Sequence, residues 1–148
     1  MFIIGLNHKT APIEIREKFY LNNLEADLLL SELKNNPAVS EAFVLSTCNR
    51  IEVYLKRTDA LVNANVVIDL IARIKKTVFD FDYSKYIYSY DNAAAMAHLL
   101  RVATGLDSLV LGEKQILGQV KAAAQRSREL GVLSTYFNIL TNTAIRVI

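Results

Sequence analysis

Hydrophobic and polar residues follow strand-like patterns in four segments of the first 90 positions. Each segment shows period-two alternation or a short apolar run rich in aromatic and β-branched residues. The four segments are residues 2–7, 41–46, 51–57 and 86–90. Pro12 and the polar residues before it predict a turn after the first strand, because proline cannot donate to a strand ladder. The two central strands are separated by a few small polar residues and therefore predict a hairpin.

Two helices are predicted between these strands. Asn22 followed by Glu25 is the pattern of a capping box, and Asn35 and Pro37 mark the end of the first helix. The predicted apolar face of that helix consists of Leu24, Leu28, Leu29 and Leu33. Asp59 is the predicted N-cap of the second helix. The apolar residues of the second helix recur at helical spacing: Val67, Leu70, Ile71, Ile74 and Val78.

The order strand, helix, strand, strand, helix, strand predicts an α/β (α+β) fold. It is the split βαβ, ferredoxin-like arrangement, an antiparallel sheet with two helices on one face. We expect residues 1–90 to form this α/β subdomain. Residues 91–148 carry no strand pattern, and we expect a helical subdomain that completes the pocket.

The helices of this second part are predicted over 92–103, 107–111, 114–130 and from 134 onward. The third has the clearest seam, formed by Ile116, Val120, Ala123, Ser127 and Leu130. Gly131 stops it, and Ser134 is the predicted N-cap of the last helix. The last helical pattern runs to Ile148 without a stop signal, so we expect a longer protein in which this helix begins a long connecting helix.

Composition narrows the class of protein. The chain has 148 residues, of which 52% are hydrophobic and 22% charged, values typical of a globular fold. A net charge of +2 does not indicate a nucleic-acid binder, although it permits a local basic patch. One cysteine excludes an internal disulfide and a multi-cysteine metal site, and is typical of the reducing cytoplasm. No apolar run reaches the roughly 20 residues of a membrane span.

The single cysteine, Cys48, lies in the predicted hairpin turn, two residues before Arg50. A guanidinium beside a thiol favours the thiolate, which is the nucleophilic form. This turn is therefore a candidate for covalent chemistry. The alternative is that Cys48 is a small buried hydrophobic residue, as free cysteines often are.

Three separated motifs identify a family resemblance. They are residues 7–12 (Asn-His-Lys-Thr-Ala-Pro), residues 46–52 (Ser-Thr-Cys-Asn-Arg-Ile-Glu), and residues 105–108 (Gly-Leu-Asp-Ser) with 112–120 (Gly-Glu-Lys-Gln-Ile-Leu-Gly-Gln-Val). Together they resemble the N-terminal catalytic domain of glutamyl-tRNA reductases. The resemblance implies NADPH-dependent reduction of glutamyl-tRNA to glutamate-1-semialdehyde, the first step of tetrapyrrole (heme) biosynthesis. Family members continue into nucleotide-binding and dimerising domains. The five glycines here form no G-x-G-x-x-G fingerprint, so we expect no NADPH site in this chain.

The resemblance also implies the site residues. Cys48 matches the family's nucleophile, and Thr47, Asn49 and Arg50 complete its substrate-binding segment. The further substrate-binding positions are Ser108, Glu113, Lys114, Gln115 and Gln119. His98 matches a histidine important for activity. A thioester on Cys48 is more electrophilic than the tRNA ester, and it releases the tRNA before reduction.

Two of these residues also allow ordinary structural roles. Arg50 suits a bidentate grip on a substrate carboxylate, and the alternative is a surface pair with Glu52. His98 lies off the apolar stripe formed by Met96, Leu100 and Ala103. It is either a proton-transfer group or a structural or solvated helical histidine.

The implied partners follow from the same resemblance. They are glutamyl-tRNA, a second copy of the full-length enzyme in a homodimer, and the aminomutase that consumes the semialdehyde. Candidate phosphate contacts are Lys9, Arg16, Lys18, Lys121, Arg126 and Arg128. Two alternatives remain at this point. One is a non-catalytic RNA-binding α/β domain that uses its sheet; the other is a general cysteine hydrolase, for which no group orienting His98 is recognisable.

Overall fold

A four-stranded antiparallel sheet forms the centre of the protein, in a computed structural model that describes residues 1–107 and 115–147. Its strands are β1 (Phe2–Asn7), β2 (Val39–Ser46), β3 (Arg50–Arg57) and β4 (Tyr88–Asp91). The spatial order is β2-β3-β1-β4. This is the order that the split βαβ pattern requires, so the predicted ferredoxin-like fold is confirmed.

In the described part of the chain, six helices pack around the sheet. They are α1 (Ile13–Phe19), α2 (Asn23–Lys34), α3 (Ala64–Ile74), α4 (Asn92–Ala103), α5 (Gln115–Glu129) and α6 (Thr135–Val147). The sequence patterns predict all of them except α1, which is only seven residues long. Of the helix predicted near 107–111, only Asp107 is among the described residues. None of the helices that the structure describes is long and apolar enough to cross a membrane.

The start of α2 is confirmed, but its predicted apolar face is partly wrong. Asn22 accepts the backbone N–H of Glu25 at 2.8 Å, and Glu25 accepts the backbone N–H of Asn22 at 3.0 Å. Leu24 and Leu28 are 68% and 47% exposed. The face of α2 that meets the sheet is rotated about the helix axis from the predicted one. Its buried residues are Ala26, Leu29, Leu30 and Leu33.

The prediction for α3 needs two corrections. Its N-cap is Asn63, whose side chain accepts the N–H of Val66 at 3.2 Å, and not Asp59. Asp59 instead accepts the N–H of Leu61 in the preceding turn. Val78 lies beyond the end of α3 and is 79% exposed, because the chain leaves the helix at Lys76, which has a φ of 54°.

The end of α5 and the start of α6 connect the helical part to β2. Gly131, with a φ of 72°, follows α5 and ends it as predicted. The buried carboxylate of Glu41 in β2 accepts the backbone N–H groups of Ser134 and Phe137, at 2.7 Å and 3.1 Å. A carboxylate is favourable at a helix N-terminus, so Glu41 anchors α6 to the sheet.

Both faces of the sheet are covered. One face packs against α1, α2 and α3 around residues such as Ile4 and Val53. The other face packs against α4, α5 and α6 around Ile3, Phe43 and Tyr54, all fully buried. A domain that bound RNA on its sheet would need an open face, and the described helices occupy both.

Candidate active site

The turn between β2 and β3 is held by hydrogen bonds from Thr47. The backbone N–H of Thr47 donates to the carbonyl of Arg50 at 2.8 Å. The Thr47 hydroxyl oxygen accepts the N–H groups of Asn49 and Arg50, both at 3.2 Å. Cys48 lies at the tip of this turn with an exposed side chain. The alternative in which Cys48 is a buried hydrophobic residue is therefore wrong.

The segment that follows β1 packs directly against this turn. The backbone N–H of His8 donates to the carbonyl of Asn49 at 2.9 Å. The Arg16 guanidinium donates from Nε to the carbonyl of Cys48 at 3.1 Å, and from Nη1 to the carbonyl of Ala11 at 2.7 Å. The first two sequence motifs thus meet at Cys48.

A cleft of about 280 Å³ opens beside the sulfur. The residues that line it are Ile13, Arg16, Glu17, Tyr20, Thr47 and Cys48. Sequence reasoning missed the contribution of α1 to this cleft. Arg16 was visible only as one of several basic residues, since nothing in the local pattern places it against a turn 32 positions later.

Arg50 points into the protein and does not line the Cys48 cleft. Its Nη1 lies 3.2 Å from Asp107 Oδ2 and 3.5 Å from Glu52 Oε2, and its Nη2 donates to the carbonyl of Asp107 at 2.6 Å. Burial lowers the pKa of Arg50, but its neighbours Glu52, Tyr88, Tyr54 and Asp107 together outweigh burial, so the pKa lies above its ordinary value. The predicted Arg50–Glu52 pair exists, and it is buried rather than on the surface.

Glu52 is fully buried and accepts hydrogen bonds at both carboxylate oxygens. Tyr54 donates to Oε1 at 2.7 Å, while Tyr88 and His98 Nε2 both contact Oε2. Burial raises the pKa of Glu52, but the hydrogen bond and charge of His98 and the charge of Arg50 bring it below its ordinary value. Burial and the Glu52 carboxylate raise the pKa of Tyr88. In this pair Tyr88 is therefore a neutral phenol and Glu52 a charged carboxylate.

His98 lies on the buried face of α4 and is 3% exposed, so the alternative of a solvated histidine is wrong. The predicted apolar stripe is wrong as well, because Met96 and Leu100 are only half-buried. The face of α4 that meets the sheet consists of Ala95, His98, Leu99, Val102 and Ala103. The ring of His98 packs against Tyr88 and Tyr90, with centroids 5.2 Å and 4.9 Å apart. His98 therefore contacts Glu52 and does not line the Cys48 cleft.

A second cleft, of about 200 Å³, lies on the other side of Thr47. Its polar lining residues include Asn23, Ser46, Thr47, Gln119 and Arg126. Gln119 thus reaches the turn that carries Cys48, whereas Gln115 is an exposed residue at the start of α5 that lines neither cleft. Ser108, Glu113 and Lys114 lie outside the described residues.

Comparison with known proteins identifies the family. A model of the glutamyl-tRNA(Glu) reductase N-terminal domain matches residues 4–148. The chain belongs to this family. It is 38% identical to a glutamyl-tRNA reductase 2 of Koribacter versatilis over 99% of the chain, and 43% identical to a glutamyl-tRNA reductase of Xylella fastidiosa over 90%. The solved structure of glutamyl-tRNA reductase from Methanopyrus kandleri matches 98% of the chain, with 31% identity and a TM-score of 0.78.

This member of the glutamyl-tRNA reductase family spans only about a third of its relatives. The match covers 33% of the Koribacter protein, 29% of the Xylella protein and 32% of the Methanopyrus chain. The part that matches is the N-terminal domain, which here contains Cys48, the buried Arg50 and Glu52, and both clefts.

The predicted basic residues are mostly engaged within the domain. Lys9 donates to Asp107 at 3.0 Å, and Arg126 pairs with Asp27. The remaining contacts are Arg16 with two backbone carbonyls, Lys18 over the ring of Phe81, and Arg128 with Asn138 and Gln125. Lys121 is exposed on α5. Arg16 is the member of this set that lines the Cys48 cleft.

Proposed function

We propose that this chain is the glutamyl-binding, thioester-forming part of a glutamyl-tRNA reductase. The whole enzyme reduces glutamyl-tRNA to glutamate-1-semialdehyde with NADPH, at the entry to tetrapyrrole synthesis. The observation that carries the proposal is the position of Cys48. It is exposed at the tip of a hydrogen-bonded turn and lines a cleft, in a chain of this family.

The proposed chemistry at Cys48 is an acyl transfer. The thiolate attacks the ester carbonyl and forms a C–S bond, the C–O bond to the tRNA ribose breaks, and the ribose oxygen takes a proton. Arg16 places a positive charge at the same cleft, which stabilises the negative charge that develops on the carbonyl oxygen. Thr47 fixes the turn, so the sulfur is positioned before substrate arrives.

The roles of Arg50 and His98 in this proposal follow from their burial. A substrate carboxylate reaches the Arg50 guanidinium by displacing Asp107, which also binds Lys9 at 3.0 Å. His98 acts through Glu52, which it positions against Arg50. For His98 to transfer a proton to the leaving ribose oxygen, its hydrogen bond to Glu52 must be replaced by one to the substrate. Asn49, Gln115 and Gln119, with Ser108, Glu113 and Lys114, complete the proposed substrate site.

The described residues do not fit an NADPH site. A Rossmann-type dinucleotide site has a glycine-rich turn between a strand and a helix in a mostly parallel sheet. Here β1 is followed by a turn containing Asn7 and Thr10, and every neighbouring strand pair is antiparallel. We therefore assign the reduction step to the part of the whole enzyme outside this chain. Dimerisation, transfer of the product to an aminomutase and a cytoplasmic location belong to the proposed whole enzyme.

The experiment that tests the function is mass spectrometry of the intact protein after incubation with glutamyl-tRNA. We expect one glutamyl adduct, located on Cys48 and absent from Cys48→Ala. An unmodified protein, or an adduct that persists in Cys48→Ala, contradicts the proposal. Uncharged tRNA is the matched control, because it presents the same RNA without the ester.

A further inference from the structure

Thr47 separates two clefts that differ in chemical character. The first, which contains Cys48, has two large side chains that are partly exposed to solvent, Ile13 at 53% and Tyr20 at 42%. The second, beside Gln119, combines amide, hydroxyl and guanidinium groups with small and aliphatic side chains such as Leu21 and Val44. A glutamyl ester also has two parts, a short polar acyl group and a nucleoside, which lie on opposite sides of the carbonyl that the sulfur attacks.

We propose that the α1 side of the Cys48 cleft binds the 3′-terminal nucleotide of the acylated tRNA, with Tyr20 as the stacking platform and Arg16 as the phosphate contact. The proposal rests on the function proposed above and names the part of the substrate that this cleft takes. Single-stranded nucleic acid is bound by an exposed aromatic ring together with a positive charge, and this cleft offers both.

Arg16 is arranged to hold a phosphate without moving. Its Nε and Nη1 donate to the carbonyls of Cys48 and Ala11, which use two of its five N–H donors and fix the guanidinium beside the cleft. Glu17, which also lines the cleft, repels a phosphate and so restricts it to the Arg16 side. The Glu17 carboxylate accepts hydrogen bonds, which ribose hydroxyls and the adenine amino group donate.

The position of the reacting sulfur determines which group occupies this cleft. When Cys48 attacks, the ribose oxygen that leaves is bonded to the same carbonyl carbon, so the terminal ribose lies against the surface next to the sulfur. The acyl group then lies on the opposite side of the carbonyl, away from α1. Tyr20 ends α1, and its backbone carbonyl accepts from Lys75, which fixes the position of the residue without using the ring.

The test compares two acyl donors in one assay. The rate of Cys48 acylation is measured by mass spectrometry with glutamyl-tRNA and with a small α-thioester of glutamate that lacks a nucleotide. We expect Tyr20→Ala to slow acylation from glutamyl-tRNA by about fivefold to a hundredfold, the effect of losing one stacked base. The small thioester should react at an unchanged rate, and Tyr20→Phe should restore the rate with tRNA.

Two further variants control the comparison. Leu61→Ala removes an exposed apolar side chain beyond the opposite end of β3 and should change neither rate. Arg16→Gln should reduce the salt dependence of tRNA binding by about one unit of log–log slope, whereas Arg16→Lys should retain it.

The outcomes separate the two proposals. If neither donor acylates Cys48 in the unaltered protein, the proposed function is wrong, and the proposed nucleotide site, which rests on it, is wrong as well. If both donors react but Tyr20→Ala slows both equally, or slows neither, only the assignment of this cleft to the nucleotide is overturned.

Discussion

His98 Nε2 hydrogen-bonds Glu52 Oε2, and both side chains are almost completely buried. This contact joins α4 to β3 across 46 positions of the chain. The Glu52 carboxylate also accepts from two tyrosines and lies 3.5 Å from the Arg50 guanidinium. A buried carboxylate requires such partners, because desolvation disfavours its charge.

Removing the charge of Glu52 should strongly destabilise the fold. We expect Glu52→Gln to lower the free energy of unfolding by about 3–5 kcal/mol, since Arg50 then lacks its buried counter-charge. Urea denaturation measures the difference. The matched control is Glu32→Gln, which breaks an exposed pair with Arg73 and should cost less than about 1 kcal/mol. Equal losses in the two variants contradict the structural role of Glu52.

Stability should fall in acid through the same carboxylate. Burial raises the pKa of Glu52, but His98 and Arg50 lower this pKa by more than burial raises it. The folded protein therefore releases this proton more readily than the unfolded chain. Its contribution is complete above the ordinary value of 4.5 and is lost as the pH falls through the lower folded pKa. Unfolding midpoints measured between about pH 7 and pH 3.5 should show a shallower acid loss in Glu52→Gln. An equally steep loss in that variant would exclude Glu52 as the source.

Arg50→Lys should reduce both stability and the proposed acylation. Lysine keeps the charge but has one nitrogen, so the bond to the Asp107 carbonyl is lost, at a cost of about 1–3 kcal/mol. Arg57→Lys is a matched control, because Arg57 also binds a carbonyl, that of Val62, and a carboxylate, that of Asp91. We expect similar urea midpoints for the two variants and slower Cys48 acylation in Arg50→Lys alone. Acylation at the parent rate in Arg50→Lys counts against its role in binding substrate.

Gly5 should not tolerate a side chain. A Cβ atom there would lie 2.5 Å from the carbonyl oxygen of Ile51 and 2.8 Å from Cγ of Glu52. We expect Gly5→Ala to lower the free energy of unfolding by about 1–3 kcal/mol through overpacking. Gly118→Ala is the control, since nothing lies within 4 Å of the position that its methyl group would take, and alanine favours a helix. A neutral Gly5→Ala contradicts the tight β1–β3 packing.

The charge of Arg16 should be visible in the reactivity of Cys48. A guanidinium at the same cleft should raise the rate at which anionic iodoacetate alkylates Cys48, relative to the rate with neutral iodoacetamide. We expect the ratio of the two rates to fall by about two- to fivefold in Arg16→Gln, the effect of one nearby charge in a solvated site. Lys18→Gln, whose ammonium lies over the ring of Phe81, should leave the ratio unchanged. An unchanged ratio in Arg16→Gln argues that its charge does not reach the sulfur.

The sequence determined the features that depend on neighbouring residues. Period-two alternation identified the strands, and the Asn22–Glu25 box identified the start of α2, because side-chain direction and capping are local. The order of these elements then implied the strand order of the sheet, and three motifs identified the family. Local rules failed at Leu24, Leu28 and Asp59, where tertiary packing and turn geometry decided the outcome.

The tertiary structure alone decided how the site is assembled. Arg50 follows Cys48 closely in the sequence, yet it points inward, because its partner Asp107 lies 57 positions away and Glu52 occupies the same sheet face. Arg16 is distant in sequence but lies at the cleft, because α1 packs against the turn and the Arg16 side chain donates to the Cys48 carbonyl. Sequence patterns report which face of its own element a residue occupies. They carry no information about which distant element packs there, and that packing fixes the direction of each charge around the sulfur.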